Sequence, residues 1–125
     1  MTLATLLCLS LVCVGICAAA EGNLPLACNI KAIRAAERPR YNDLVKALRI
    51  ALADRRELSD GYAYHLDTRN ITLLEVAEWI TMKRLCCPFL TFQFDVKSNG
   101  DSQLTMRGPV GVKAILSEEF PGKSK

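Results

Sequence analysis

The chain has 125 residues, half of them hydrophobic, and its 16 basic and 13 acidic side chains give a net charge of +3. This length fits one small domain whose hydrophobic core is marginal, so a disulfide would help to stabilise it. The basic pairs Arg55-Arg56 and Lys83-Arg84 are isolated, and we interpret them as solvated helix surface. They form no basic stripe of the kind that nucleic-acid-binding proteins use, so we expect no nucleic-acid partner.

Residues 1–20 are predicted to be a secretory signal peptide. They carry no charged side chain, and their apolar run ends in three alanines before Glu21, which is a small-residue cleavage pattern. We therefore expect a single α+β domain at residues 21–125 that is exported, either periplasmic or secreted, with no stable membrane span once the leader is cleaved. A membrane anchor is the alternative, because the run approaches the ~20 residues that a span needs. Three cysteines fall inside the leader and are excluded from any site: Cys8, Cys13 and Cys17.

The first half of the mature chain predicts a helix followed by a strand. Apolar side chains recur at three- and four-residue steps from about Arg38 to Leu58, which indicates one amphipathic helix. A turn at residues 59–61 ends this helix. Residues 62–67 then alternate between apolar and polar side chains, as a half-buried strand does. On this alternation the only histidine, His65, points away from the apolar side and is exposed.

The second predicted helix begins at a capping box and ends at a proline. The Thr72 hydroxyl can accept from the backbone N–H three residues on, and the Glu75 carboxylate can reach back to the N–H of Thr72. Pro88 has no N–H and its ring clashes with the preceding turn, so the helix should end near Leu85 or Cys86.

A hairpin and a last helix complete the chain. Strict alternation from Leu90 to Lys97 predicts a strand, an Asn-Gly turn follows at residues 98–101, and residues 103–107 alternate as the return strand. Pro109 is then expected at the first position of the last helix. The order α-β-α-β-β-α predicts an α+β fold: a three-stranded, mostly antiparallel sheet with helices packed on one face.

Three stretches resemble a small bacterial family: residues 61–66, 78–89 and 104–113. The hallmark of that family is a Glu-Arg-x-Cys-Cys-Pro-Phe stretch followed by a hairpin and a Gly-Pro-x-Gly helix start, and the resemblance covers most of residues 28–120. Some members lie beside heavy-metal resistance regulators, which implies a link to soft metals. This chain departs from the pattern at Lys83, where the family has Glu, and in its leader.

Cys28, Cys86 and Cys87 are the only cysteines after the leader, and they carry the candidate chemistry. The first hypothesis is a soft-ion site, in which two or three thiolates bind a thiophilic metal or metalloid ion. The alternative is a structural or interaction domain braced by a disulfide from Cys28 to either Cys86 or Cys87, with no ligand. A redox role, through a strained Cys86–Cys87 disulfide ring or a sulfenic acid on the free thiol, is a third alternative, because an odd number of cysteines leaves at least one thiol free or paired between chains.

The rest of the sequence favours a binding or structural role over an enzyme. It contains no Ser/His/Asp order, no phosphate-cradling glycine loop and no dinucleotide fingerprint, and no general base is evident near the thiols. Trp79 is interpreted as a packing residue. For the interaction domain, the expected contact surface is the polar face of the hairpin, formed by Thr91, Gln93, Asp95, Gln103, Thr105 and Arg107.

Overall fold

The computed structural model describes residues 26–123 and confirms an α+β fold. The predicted leader lies outside the described residues. Two short 3-10 turns, Ile30–Ala32 and Ala35–Glu37, precede the regular elements. These elements are α1 (Arg38–Ala51), β1 (Leu52–Leu58), β2 (Gly61–Leu66), α2 (Leu73–Cys86), β3 (Thr91–Val96), β4 (Ser102–Arg107) and α3 (Val112–Glu119).

The sheet has four antiparallel strands in the order β1-β2-β4-β3, so the prediction of three strands is wrong by one. The additional strand is β1, which the sequence pattern assigned to the end of the first helix. The apolar stripe of α1 ends at Ala51, and the following run of four charged residues, 54–57, offers nothing that a continued helix could bury. The same run suits an edge strand that pairs with β2 through a tight turn, with Leu58 opposite Gly61.

The strand register separates an apolar face from a polar face. Tyr64 of β2 and Phe94 of β3 both lie opposite Leu104 of β4, and on the next rung Tyr62 lies opposite Met106. This face joins the buried stripes of the helices in one hydrophobic core. The members of the expected polar contact surface do share the other face, because the register pairs them across β3 and β4: Thr91 with Arg107, Gln93 with Thr105, and Asp95 with Gln103. Thr105 is only 3% exposed, however, so it offers little area for contact.

Both ends of α2 form as the sequence predicts. The Thr72 hydroxyl accepts from the N–H of Glu75, and the Glu75 carboxylate accepts from the N–H of Thr72 at 2.9 Å, which completes the capping box. The last helical residue is Cys86. Within residues 26–123, no helix has the length and apolar character that crossing a membrane requires.

The start of α3 differs from the prediction. The helix begins at Val112 rather than at Pro109, and Gly111 precedes it with φ 97°, a left-handed conformation that glycine adopts without a steric penalty. Pro109 instead begins a turn, because its carbonyl accepts from the N–H of Val112 at 3.1 Å. The helix ends against the core at Phe120, whose side chain is 1% exposed.

Candidate thiol site

The site lies at the end of α2, where the helix is followed by a turn at Pro88 and Phe89 that leads to β3. The N–H of Cys87 still donates to the carbonyl of Lys83 at 2.8 Å, but the backbone of Cys87 has left the helix, with φ −126° and ψ 72°. Pro88 follows and cannot continue the helical hydrogen bonding. Cys86 is therefore helical and Cys87 is not. Successive residues of a helix point about 100° apart, but this separation does not apply to the side chains of these two cysteines.

The segment that carries Cys28 is fastened to the same helix end. The N–H of Asn29 donates to the carbonyl of Cys86 at 2.8 Å and so satisfies one of the carbonyls that a helix leaves unpaired at its C-terminus. The Arg38 guanidinium holds the following turn by donating to the carbonyl of Ile33 at 3.0 Å. Ile33 itself is fully buried, which anchors the segment in the core. These contacts place Cys28 beside Cys86 and Cys87, in the joint between α2 and β3.

The three candidate cysteines come together. Cys28 forms a disulfide with Cys87, with 4.7 Å between their Cα atoms and a sequence separation of 59 residues. Cys86 keeps a free, buried thiol whose Sγ lies 3.4 Å from the Sγ of Cys87. All three sulfurs lie within 4.8 Å of one another. Of the two stabilising pairings predicted for Cys28, the structure therefore contains the one with Cys87, and it contains no Cys86–Cys87 disulfide.

The free thiol has a buried phenol as its neighbour. Tyr41 is 5% exposed, and its hydroxyl lies 3.8 Å from the Sγ of Cys86 within hydrogen-bonding geometry. Burial raises the pKa of Tyr41 far above its usual value, and the neighbouring Cys86 raises it further. The phenol therefore stays protonated at physiological pH and can donate a hydrogen bond to the sulfur.

Lys83 is the residue beside the thiols whose burial the sequence interpretation missed. Its side chain is 1% exposed rather than solvated, and its ammonium lies 2.5 Å from a carboxylate oxygen of Glu119 and 3.9 Å from the Sγ of Cys28. The same ammonium lies 6.0 Å from the ring centroid of Trp79. Helical spacing contains the signal, because Lys83 follows buried Val76 by seven residues and buried Trp79 by four. Arg84 is exposed, as expected.

His65 does not belong to the site. It is exposed on the polar face of the sheet, as the alternation predicted, and its Nε2 lies 2.7 Å from a carboxylate oxygen of Asp101. Trp79 is a packing residue, since it is fully buried and meets the rings of Phe92 and Phe120 edge to face. Among residues 26–123, the only group of three or more His, Cys, Asp or Glu side chains suited to hold an ion is the cysteine cluster.

An open cleft of about 450 Å³ adjoins the cluster. Cys28 lines this cleft and is exposed, whereas Cys86 and Cys87 are buried. The other lining residues come from the N-terminal segment, α1 and the end of α3: Leu26, Ala27, Arg49, Ile115, Glu118 and Glu119. The site therefore has one sulfur at an accessible surface and two in the core.

No family model, curated protein or solved structure matches this chain. The resemblance to a small bacterial family thus stays a prediction from the residues that carry it. The chemical interpretation of the site depends on the geometry of the cysteines and of the charged groups beside them.

Proposed function

We propose that the reduced protein binds one thiophilic metal or metalloid ion through the thiolates of Cys28, Cys86 and Cys87. The observation that carries this proposal is the distance among the three sulfurs, all within 4.8 Å. A metal–sulfur bond of about 2.3 Å puts the sulfurs of a three-coordinate ion about 4 Å apart. Once the disulfide is reduced, a small movement of the exposed segment that carries Cys28, residues 26–32, would bring the sulfurs of Cys28 and Cys87 to that spacing.

The groups around the three cysteines suit a metal centre that carries a net negative charge from its thiolate ligands. Three thiolates around a divalent metal leave one net negative charge, and the ammonium of Lys83 lies 3.9 Å from one of the sulfurs. Tyr41 can donate to a second sulfur. Thiolates select soft ions over Mg²⁺ or Ca²⁺, which prefer oxygen ligands. The resemblance to a family with members beside heavy-metal resistance regulators points to the same class of ion.

A bracing role is the second candidate, and the disulfide itself favours it. Cys28–Cys87 ties the N-terminal segment to the joint between α2 and β3. In that case the cysteines stabilise an interaction domain, and the polar sheet face is its contact surface. Export through the predicted leader, which we also propose, would suit this form, because disulfides persist in oxidising compartments.

Titration of the fully reduced protein with Cd(II) and with arsenite, under anaerobic conditions, tests ion binding. We expect one ion per chain and a thiolate-to-metal charge-transfer band in the ultraviolet. Cys28→Ser should weaken binding by more than the roughly 10- to 100-fold that loss of an outer-sphere partner costs, because it removes a ligand. Ser102→Ala, which alters a buried hydroxyl on the sheet, is the matched control and should leave the titration unchanged. If the reduced protein shows no saturable band with either ion, the bracing role is the one that remains.

A further inference from the structure

The three sulfurs differ in how a solute can reach them. Cys28 is exposed and lines the cleft, while Cys86 and Cys87 are buried. We propose that the cleft admits a small amino-acid or short-peptide thiol, which opens the disulfide by attacking the Sγ of Cys28. The consequence for ion binding, a switch from the braced form to the ion-binding form, rests on the proposed function; the exchange step itself does not.

Accessibility selects the sulfur that is attacked. Thiol–disulfide exchange requires a thiolate to reach one of the two sulfurs, and its rate depends on which sulfur is accessible. Cys87 is 0% exposed, and its side chain is flanked by the Sγ of Cys86 at 3.4 Å. An external thiol in the cleft therefore meets Cys28 first, and Cys87 is the leaving group.

The lining of the cleft indicates the chemistry of the thiol. Arg49 is fixed at the cleft, since its Nε donates to the carbonyl of Glu119 at 3.0 Å, and the carboxylate of Glu118 has no ion-pair partner among residues 26–123. The Glu119 carboxylate is engaged by Lys83. One cation and one anion thus face an otherwise apolar cleft. A ligand that carries a carboxylate and an amino group complements both, and about 450 Å³ lies in the lower part of the roughly 300–1,000 Å³ typical of small-molecule sites.

Two thiol–disulfide exchange steps reduce the Cys28–Cys87 disulfide. In the first, the external thiolate forms a bond to the Sγ of Cys28, the Cys28–Cys87 bond breaks, and Cys87 leaves as a thiolate that takes up a proton. In the second, another external thiolate attacks the external sulfur of the mixed disulfide and releases the thiolate of Cys28. Two small thiols are oxidised to one disulfide, and the protein gains two electrons. The ammonium of Lys83, 3.9 Å from Cys28, stabilises the thiolate that the second step releases.

Mapping of the mixed disulfide tests the proposal. The oxidised full-length protein is treated with limiting cysteine or glutathione, quenched in acid, alkylated and digested for mass spectrometry. We expect the small thiol on Cys28 and the alkyl label on Cys87. A small thiol on Cys87 would overturn the proposal, and so would an opening rate that does not depend on thiol concentration, since that would mean opening by unfolding. A larger yield with glutathione than with cysteine assigns a peptide thiol, and the reverse assigns an amino-acid thiol.

Cleft variants separate access from stability. Ala27→Trp, at an exposed position beside the disulfide, should slow the first step at least about tenfold, whereas Ala114→Trp, exposed on α3 and outside the cleft, should not. Arg49→Ala should lower the rate at which cysteine opens the disulfide by about two- to fivefold relative to the rate with neutral 2-mercaptoethanol. This is the effect expected from the loss of one surface ion pair. Equal slowing of both thiols would contradict the assigned chemistry.

The two proposals fail separately. Exchange at Cys28 in a protein that binds neither Cd(II) nor arsenite after reduction overturns the ion site and leaves the exchange step in place. Ion binding by the reduced protein together with exchange at Cys87 overturns the cleft proposal alone.

Discussion

Loss of the Cys28–Cys87 disulfide should cost about 4 kcal/mol of unfolding free energy. The bond closes a loop with a sequence separation of 59 residues. In the chain-entropy model such a loop removes about 14 cal/mol/K from the unfolded ensemble, which is about 4 kcal/mol at 25 °C. Small domains have roughly 5–15 kcal/mol in total, so the reduced protein should remain folded with little reserve. A loss of this size corresponds to a fall in melting temperature of about 15–30 °C for a domain near 100 residues.

A pair of variants isolates this effect from the chemistry of the free thiol. Cys86→Ala serves as the reference, and Cys28→Ser is added to it, so that no alternative pairing with Cys86 can form. Urea unfolding, followed by circular dichroism, measures the difference in free energy between the two. A difference below about 1 kcal/mol with an unchanged m-value would refute the loop argument. It would mean either that the unfolded chain is already restricted without the bond, or that the segment detaches from the folded domain once the bond is lost, despite the hydrogen bond from Asn29 to the end of α2 and the burial of Ile33.

Three further changes test the packing and the charges. Gly61→Ala should destabilise the sheet by more than about 3 kcal/mol in urea unfolding, because the new Cβ would overlap the backbone carbonyl oxygen of Met106 on β4, far inside van der Waals contact. Glu119→Gln should cost about 3–5 kcal/mol in the same assay, since it leaves the buried ammonium of Lys83 without its carboxylate. Glu78→Gln should flatten the fall in stability at acid pH: hydrogen bonds from Arg40 lower the pKa of Glu78 below its ordinary value of 4.5, so the folded protein is stabilised above that value and loses the contribution as the pH falls through the lowered pKa.

Each of these expectations has a defined contrary result. Wild-type stability in Gly61→Ala would mean that β2 and β4 can separate without cost. For the buried pair, the double variant Lys83→Met with Glu119→Leu should recover most of the stability lost in Glu119→Gln, and a further loss would contradict the ion-pair argument. For Glu78, a pH profile that keeps the same slope below pH 4.5 in the variant would show that the contact with Arg40 carries no linked proton.

Features that depend on neighbouring residues alone were predictable from the sequence. The capping box at Thr72, the end of α2 before Pro88, and the alternation of β3 each depend on side chains a few positions apart. The edge strand β1 was not predictable in this way. Its charged residues 54–57 show neither a helical nor a strand-like spacing of apolar side chains. The strand is fixed by pairing with β2, in which Arg56 lies opposite Ala63 and Glu57 opposite Tyr62, after a register shift between Ala53 and Arg56.

The candidate site shows the same division. Residue type alone identified the three cysteines, but not which of them pair, because the choice depends on where the chain leaves the helix. Cys86 is still helical and faces Tyr41 of α1, whereas Cys87 has left the helix and meets Cys28 of the N-terminal segment. The burial of Lys83 follows from its place on the buried stripe of α2, but its ion-pair partner is set at long range, because no local pattern connects Lys83 to a carboxylate on α3.

The joint after α2 is what allows adjacent cysteines to act together. Two successive helical residues point about 100° apart and would meet different neighbours. Here the sulfurs of Cys86 and Cys87 approach to 3.4 Å, because the backbone of Cys87 has left the helix and Pro88 disfavours helical geometry at the residue before it. One of these sulfurs is then held in the core, while the other is joined to an exposed partner. A disulfide that only stabilises the domain needs Cys87 and Cys28. It does not require the third sulfur, that of Cys86, to lie within 4.8 Å of both others.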